Sequence, residues 1–411
     1  MNENKSLWLH LLQENTSSKK NINILNAKAG DFRVPVIPNE DLIPQHKGWR
    51  IFTLDKQGNE ISHYFVAADD KPRFKTFDPE SGQIERIIYK ELSHLYLQIV
   101  IPYPDNVEAI KIVEIPTLST PLTMPTSRVF NRKQIETLVK NRCKNKTETS
   151  PPISHKVISQ EDNTIKRPLI LVFMGDGYSQ DDQKKWEKDA EEVRRNFFSD
   201  PLMSSLKNRF KVIRLDIISK ESGISKGSDI KDTAFHMVLG CHNIDRLLCV
   251  DPHLVTQTAN NVLGHGGYDQ ILVIGNTSDY GGAGYTGVGT CTMDPRATEI
   301  ALHEFGHSAY GLADEYDDGG VICSIDGEPR QPNVTIETNR NKIKWRHLIK
   351  PETPIPTCEH INGVIGLFEG AQYCTKGKYR PVYISKMRTL GYPWYAVNEE
   401  HIRKVMDAYT E

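Results

Sequence analysis

Two histidines one helical turn apart, with a glutamate directly after the first, constrain this chain more than any other feature. They lie in Ala301-Leu-His-Glu-Phe-Gly-His-Ser-Ala-Tyr-Gly-Leu-Ala-Asp-Glu-Tyr316. On a helix, residues four apart sit above one another on the same face. His303 and His307 can therefore aim both imidazoles at one metal ion, and Glu304 can reach a water beside it. The motif calls for a bounded helix that ends about one turn past the second histidine. The flanks bound such a helix. Asp294 and Pro295 offer a side-chain acceptor at the N-cap and a proline at the first helical position. Gly311 can take the left-handed conformation that ends a helix, and Ile300, Ala301 and Phe305 provide its packing positions. The pattern points to metal-assisted hydrolysis, with one catalytic Zn2+ as the expected cofactor.

Zinc takes a third protein ligand and leaves its fourth position open. Asp314 is the leading candidate, because it is the first carboxylate after Gly311 reverses the chain. Glu315 is its nearest competitor, and Glu337, Glu352 and Glu369 are later alternatives. Glu304 is expected to take a proton from water as general base and pass it to the leaving amine.

The stretch from His303 to Tyr316 resembles the IgA-specific metalloendopeptidase family, family sixty-four of the metallopeptidases, which stands among the metzincin-like zinc enzymes. Three further segments are similar to that family. They are Leu169-Ile-Leu-Val-Phe-Met-Gly-Asp-Gly-Tyr-Ser179, Tyr280-Gly-Gly-Ala-Gly-Tyr285, and Glu369-Gly-Ala-Gln-Tyr followed by Tyr379-Arg-Pro and Met387-Arg388. In order, they cover the chain from about residue 165 to the end. The resemblance implies a zinc endopeptidase acting on protein substrates, with immunoglobulin-type or other host proteins as targets. It also implies that Met387 forms a methionine turn, a hydrophobic base beneath the imidazoles. There are departures. Ordinary metzincins place the glycine three residues and the third ligand six residues after the second histidine, whereas Gly311 and Asp314 come four and seven residues after His307. Family members carry cysteines around the methionine segment, where this chain has Ser385 and Tyr395, so no local disulfide is expected there.

Candidates for contacting substrate or the transition state are Tyr316, Tyr379 and Arg380, each equally able to be a packing residue. The Gly281-Gly282 segment reads either as an edge strand whose bare backbone pairs with an extended peptide or as a glycine loop. The acidic run Asp314-Glu-Tyr-Asp-Asp318 could include a Ca2+ site, although a solvated charge run is the commoner use of such a sequence. Gly175-Asp176-Gly177 lacks the lysine and glycine spacing of a phosphate loop and reads as a structural turn.

At 411 residues the chain is long enough for two domains. Residues 1–30 are polar and read as a loose arm. Residues 31–127 contain alternating apolar runs that predict an antiparallel β-sandwich with no catalytic residues. Residues 128–165 read as a helix, from about Asn131 to Cys143, and a Pro151-Pro152 linker. Residues 166–411 are expected to form the catalytic domain, a metzincin-like α+β or α/β unit. There a strand at Leu169–Met174, a helix near 180–198 and strands at Phe210–Ile218 and Gln270–Ile274 predict a twisted mixed sheet behind the zinc helix. A formal net charge of −2 gives no basic field for nucleic acid, and Lys140–Lys146 reads as solvated linker. No apolar run is long enough to span a bilayer. The N-terminus does not read as a secretory signal, while the family resemblance implies an exported or extracellular protein. Seven cysteines leave at least one thiol free, and Cys323, Cys358 and Cys374 could include one bridge. The oligomeric state is open. A zinc-containing binding protein that has lost catalysis is the rival, as is an exported effector protease with an intracellular host target. The presence of Glu304 disfavours the first of these.

Overall fold

The structure, a computed structural model, describes residues 5–15, 20–34, 48–68, 72–115, 125–142, 154–159, 165–285, 287–319, 327–358 and 361–409. Most of the linker expected at 144–154, together with Cys143 and Cys323, lies outside them.

The N-terminal part is built from β1 (Ser6–Asn15), β2 (Lys20–Gly30), β3 (Gly48–Leu54), β4 (Glu60–Ala67), β5 (Arg73–Phe77), β6 (Ile84–Tyr89), β7 (His94–Pro102), β8 (Ala109–Glu114), β9 (Ser127–Asn131) and helix α1 (Arg132–Arg142). Two antiparallel sheets, in the orders β2-β1-β7 and β4-β3-β8-β9, share one apolar core. Leu7, Leu9 and Leu11 enter it from β1, Ile51 from β3, Ile101 from β7, Ile110 and Ile112 from β8, and Ile135 from α1. The arm expected over residues 1–30 is therefore a correction: β1 is the central strand of its sheet, paired on both sides. Its leucines alternate with Trp8 and His10, so the polar composition of the segment hides a period-two apolar face. The two strands β5 and β6 form a separate hairpin.

The larger part comprises β10 (Ser154–Ser159), β11 (Leu169–Asp176), α2 (Gln183–Phe197), α3 (Pro201–Leu206), β12 (Phe210–Asp216), β13 (Ser225–Lys226), β14 (Val238–Leu239), β15 (Leu248–Cys249), α4 (Pro252–Leu263), β16 (Gln270–Gly275), β17 (Gly282–Tyr285), β18 (Val288–Thr292), α5 (Ala297–Ser308), β19 (Phe368–Ala371), β20 (Cys374–Arg380) and α6 (Tyr395–Asp407). Its main sheet has the order β10-β12-β11-β16-β18-β17. The four inner strands run parallel, and both edge strands pair antiparallel. Every residue of β11 is buried, as expected of a strand covered on both faces. Leu169, Leu171 and Phe173 pack with α2, α5 and α6, while Ile170, Val172 and Met174 pack with α4 on the opposite face. The domain boundary also shifts. β10 lies within the segment assigned to helix and linker, yet it pairs with β12 as part of this sheet.

Asp176 explains the Gly175-Asp176-Gly177 turn. Its buried carboxylate accepts from Thr233 Oγ1 at 2.8 Å, Met237 N at 2.9 Å and Phe235 N at 3.1 Å, tying down the loop that follows β12. Among the described residues no helix is long and apolar enough to cross a membrane.

Candidate metal centre

Helix α5 packs against β17 and β18 through a face that includes Ile300, Ala301 and Phe305, all buried. It begins two residues later than Asp294-Pro295 predicts, because Asp294 is used in a turn: its Oδ1 accepts Arg296 N at 2.9 Å. Beyond its end, Gly311 adopts φ +66° and donates to His307 O at 3.0 Å. That left-handed residue turns the chain back over the helix, and Asp314 arrives above the two histidines.

Three atoms meet there. His303 Nε2 and His307 Nε2 are 3.2 Å apart, and Asp314 Oδ1 lies 3.2 Å from the first and 3.1 Å from the second. Ligands held at about 2.0–2.1 Å around a tetrahedral metal are separated by roughly 3.3 Å, so the triangle has the right size. The imidazoles are also set in the right tautomer. His303 Nδ1 lies 2.8 Å from Lys386 O, and His307 Nδ1 lies 2.7 Å from Leu312 O. A carbonyl only accepts, so each Nδ1 carries the proton and each Nε2 presents its lone pair to the shared point. The donor set fits a metal ion.

The two neighbouring carboxylates behave oppositely. Asp314 is buried, which pushes its carboxyl up. The Lys75 ammonium, donating to Oδ1 at 2.8 Å, outweighs this and holds it well below the usual carboxylate range. Tyr373 donates its hydroxyl to Asp314 Oδ2. Glu315 faces the other way. Its Oε1 accepts from Asn333 Nδ2 and Asn398 Nδ2, both at 2.9 Å, and its Oε2 accepts from Ser385 Oγ at 2.6 Å. Burial raises its carboxyl above the ordinary value. Glu315 is thus not brought to the triangle. Nor are the later alternatives: Glu337 accepts from Asn339 N at 2.7 Å, Glu369 from Gly377 N at 3.0 Å, and Glu352 is exposed.

Glu304 stands beside the triangle, with its side chain 11% exposed. Its carboxylate fills the space over Gly284, where an added Cβ would sit 2.1 Å from Oε2. A side chain there would have to push the carboxylate out of this position. Met387 lies beneath, and its sulfur would be 2.7 Å from a Cβ on Gly306, the residue just before His307. The bend at 385–389 is closed by Thr389 N donating to Ser385 O at 2.8 Å.

Other expectations fare differently. Arg380 is spent on backbone: its guanidinium donates to Tyr383 O at 3.1 Å and to the carbonyls of Glu369 and Gly370. Burial and the neighbouring Arg388 lower it to about 10. Tyr379 packs instead with Ile343, Trp345 and Leu367. Tyr316 does border the site, its ring 5.8 Å from Lys75 Nζ and edge-on to Tyr373. Gly282 opens edge strand β17, but its N–H already donates to Arg246 O at 3.2 Å, and Thr292 N donates to Gly281 O at 3.2 Å. The acidic run gathers no calcium site among the described residues. Asp317 faces Arg388 at 3.3 Å, and Asp318 accepts from Tyr89 Oη at 3.3 Å.

Two residues at the centre were not singled out in the sequence. Tyr373 lies within the quoted Glu369–Tyr373 segment but carries no cue to its role; its φ of +70° aims it at Asp314. Lys75, from β5, places Nζ 2.8 Å from His303 Nε2, 2.7 Å from His307 Nε2 and 2.8 Å from Asp314 Oδ1. A lysine on a short strand, more than two hundred residues from the histidines, gives no local signal of such a contact.

A family model described as IgA Peptidase M64 matches residues 158–363, half of the chain. The chain belongs to the IgA peptidase M64 family. The match contains the histidine helix, Asp314 and the Tyr280–Tyr285 segment, and membership makes the protein a peptidase whose substrates are proteins or peptides. No curated protein matches the chain. A solved structure named "Putative carboxypeptidase A", from Shewanella denitrificans OS-217, is 8% identical over 64% of this chain and 66% of its own, with a TM-score of 0.16. A likeness that low carries no weight for this peptidase.

Proposed function

We propose that this M64 peptidase is a zinc-dependent endopeptidase of metzincin-like design, in which His303, His307 and Asp314 hold the metal. The observation that carries this is the triangle of two Nε2 atoms and one carboxylate oxygen, each imidazole fixed from behind by a backbone carbonyl. A zinc ion held there would supply a Lewis acid and lower the pKa of water. Glu304 is the general base: it takes the proton from the attacking water and delivers it to the leaving amine. The Gly284 backbone keeps that carboxylate against the edge strand, where a substrate peptide would run. Met387 is the methionine turn, an apolar floor under Gly306 that keeps the two imidazoles from tilting. Tyr373 positions Asp314 through its second oxygen, the kind of outer contact that steadies a ligating carboxylate.

The disulfide Cys241–Cys249 and the disulfide-bonded state of Cys374 favour an oxidising compartment, and so an exported protein. Residues from about 154 onward form the catalytic unit, and the sandwich is a regulatory or docking module.

The test is a pair of measurements on the full chain. Elemental analysis is expected to find about one zinc per chain after loading. Glu304→Gln is expected to keep that zinc and lose on the order of 10²–10⁴-fold in peptide cleavage. Absence of a bound transition metal, or unchanged turnover in Glu304→Gln, would sink the proposal. Mass spectrometry of fragments cut from a proteome-derived peptide library then defines the preferred bond.

A further inference from the structure

The β5–β6 hairpin crosses the cleft above α5 and is anchored on every side of it. On one wall, Phe74 packs with Ile244, Leu247 and Ala283 of β17, Glu85 pairs with Arg246 at 2.7 Å, and Arg86 Nη1 donates to Asn243 O at 3.1 Å. On the opposite wall, the Arg73 guanidinium stacks 3.6 Å from the centre of the Tyr373 ring, and Tyr89 donates to Asp318. On the floor, Phe77 packs with Ile300 and Leu390 and stands edge-on to His303 at 5.0 Å, while Gly82 O accepts from Leu390 N at 2.9 Å. Between these anchors, Lys75 is 7% exposed and points its ammonium at the three atoms of the candidate metal centre.

That contact is chemically complete. An ammonium has three N–H donors and no lone pair, and it meets three acceptors, with Glu304 Oε1 a further 3.5 Å away. Each imidazole, with its Nδ1 bound to a carbonyl, has one lone pair left, on Nε2. A lone pair that accepts from Lys75 cannot at the same time bind a metal. The hairpin also fills the space beside β17 and over Glu304 that an extended substrate needs.

We propose that the β5–β6 hairpin is a built-in inhibitor of this peptidase, and that Lys75 competes with the metal ion for His303, His307 and Asp314. The plugged form is latent; withdrawal of the hairpin frees the ligands and opens the substrate channel together. The anchors suit a reversible or cleavable plug. They are side-chain contacts and one backbone hydrogen bond rather than a shared sheet, and three residues of the turn at 78–83, Glu80, Ser81 and Gln83, are exposed. This inference rests on the metal-centre reading above, but its first readout does not require catalysis.

The experiment compares the full-length chain with Lys75→Ala and Lys75→Met, the second retaining bulk in the cleft should the first fold poorly. Zinc affinity is measured by competition with a chromogenic chelator, and cleavage is followed on an unstructured peptide pool. A plug closed nine-tenths of the time weakens apparent zinc binding about tenfold, so both variants are expected to bind zinc about tenfold more tightly than wild type. Peptide turnover is expected to rise with it. Arg246→Ala, which only loosens the rim, is expected to move both readouts in the same direction by less. Unchanged or weaker zinc binding in both Lys75 variants overturns the inhibitor, whatever the enzyme then cuts. Tighter zinc binding with no cleavage by any form keeps the competition at the metal centre and removes the zinc-endopeptidase reading instead.

Discussion

Asp314 and Glu315 are adjacent in sequence and both buried, yet they anchor two unlike polar clusters on opposite sides of the chain. Above it, Asp314 meets an ammonium, two imidazole nitrogens and a tyrosine hydroxyl that donates to its second oxygen. Below it, Glu315 meets neutral donors, the amides of Asn333 and Asn398 and the hydroxyl of Ser385. The difference separates two jobs. A carboxylate beside an ammonium stays ionised and can trade one cation for another. A carboxylate held on both oxygens by short neutral side chains works as a bolt, joining the loop after α5 to the 385–389 turn and to α6. Identity and spacing alone would let either residue be the ligand; what surrounds each oxygen sets the two apart.

The largest expected effect is on metal retention. Asp314→Ala is expected to lose zinc by a factor of hundreds or more, while Glu315→Ala in the same chelator titration loses far less; the reverse order would exchange their roles. Next comes stability. Glu315→Ala removes the shared acceptor of two buried amides and a hydroxyl, and denaturant unfolding of the metal-free chain is expected to show a loss of about 2–4 kcal/mol. A variant as stable as wild type would mean that the lower cluster is not the bolt described.

Tyr373→Phe sharpens the comparison from the ligand side. It removes one hydrogen bond to Asp314 and leaves the ring beneath Arg73, so zinc affinity is expected to fall about tenfold with stability nearly unchanged. The smallest effect is in pH dependence, where the two carboxyls have opposite signs. Glu315 has its carboxyl raised by burial from 4.5, so the folded chain gains a proton there. That contribution is present at and below pH 4.5 and fades as pH rises through the folded value. Asp314 is depressed below 3.8, so its contribution is present above that value and is lost as pH falls through the folded one. Glu315→Gln is therefore expected to gain stability relative to wild type as pH rises above 4.5, measured metal-free by urea titration. A constant difference across that range would show that the burial of Glu315 is not felt as described.

The upper cluster was largely legible because its parts are local. His303, Glu304, His307, Gly311 and Asp314 lie within one helix and its reversal, and spacing there dictates direction. The strands behind the helix were legible from apolar runs, with β11, β12 and β16 falling where expected. The lower cluster was not legible, since Asn333, Ser385 and Asn398 come from three segments joined only by the tertiary fold. β1 was missed because its apolar face alternates inside a polar composition. β10 was missed because an edge strand next to a proline-rich linker carries little apolar content. Lys75 lay beyond any local rule: nothing in Arg73-Phe-Lys-Thr-Phe77 distinguishes a surface lysine from one that crosses a cleft.

His303 owes its orientation to the carbonyl of Lys386, and Gly306 rests on Met387. Both lie past residue 363, where the family match ends. The recognisable half of the sequence is therefore not a separable enzyme. A gene shortened to the matched region would still encode the three side chains proposed to hold the metal, but one imidazole would lack its backstop and the helix would lack its floor. Any transplantation of this active site into another scaffold has to carry the C-terminal turn and α6 along with the histidine helix.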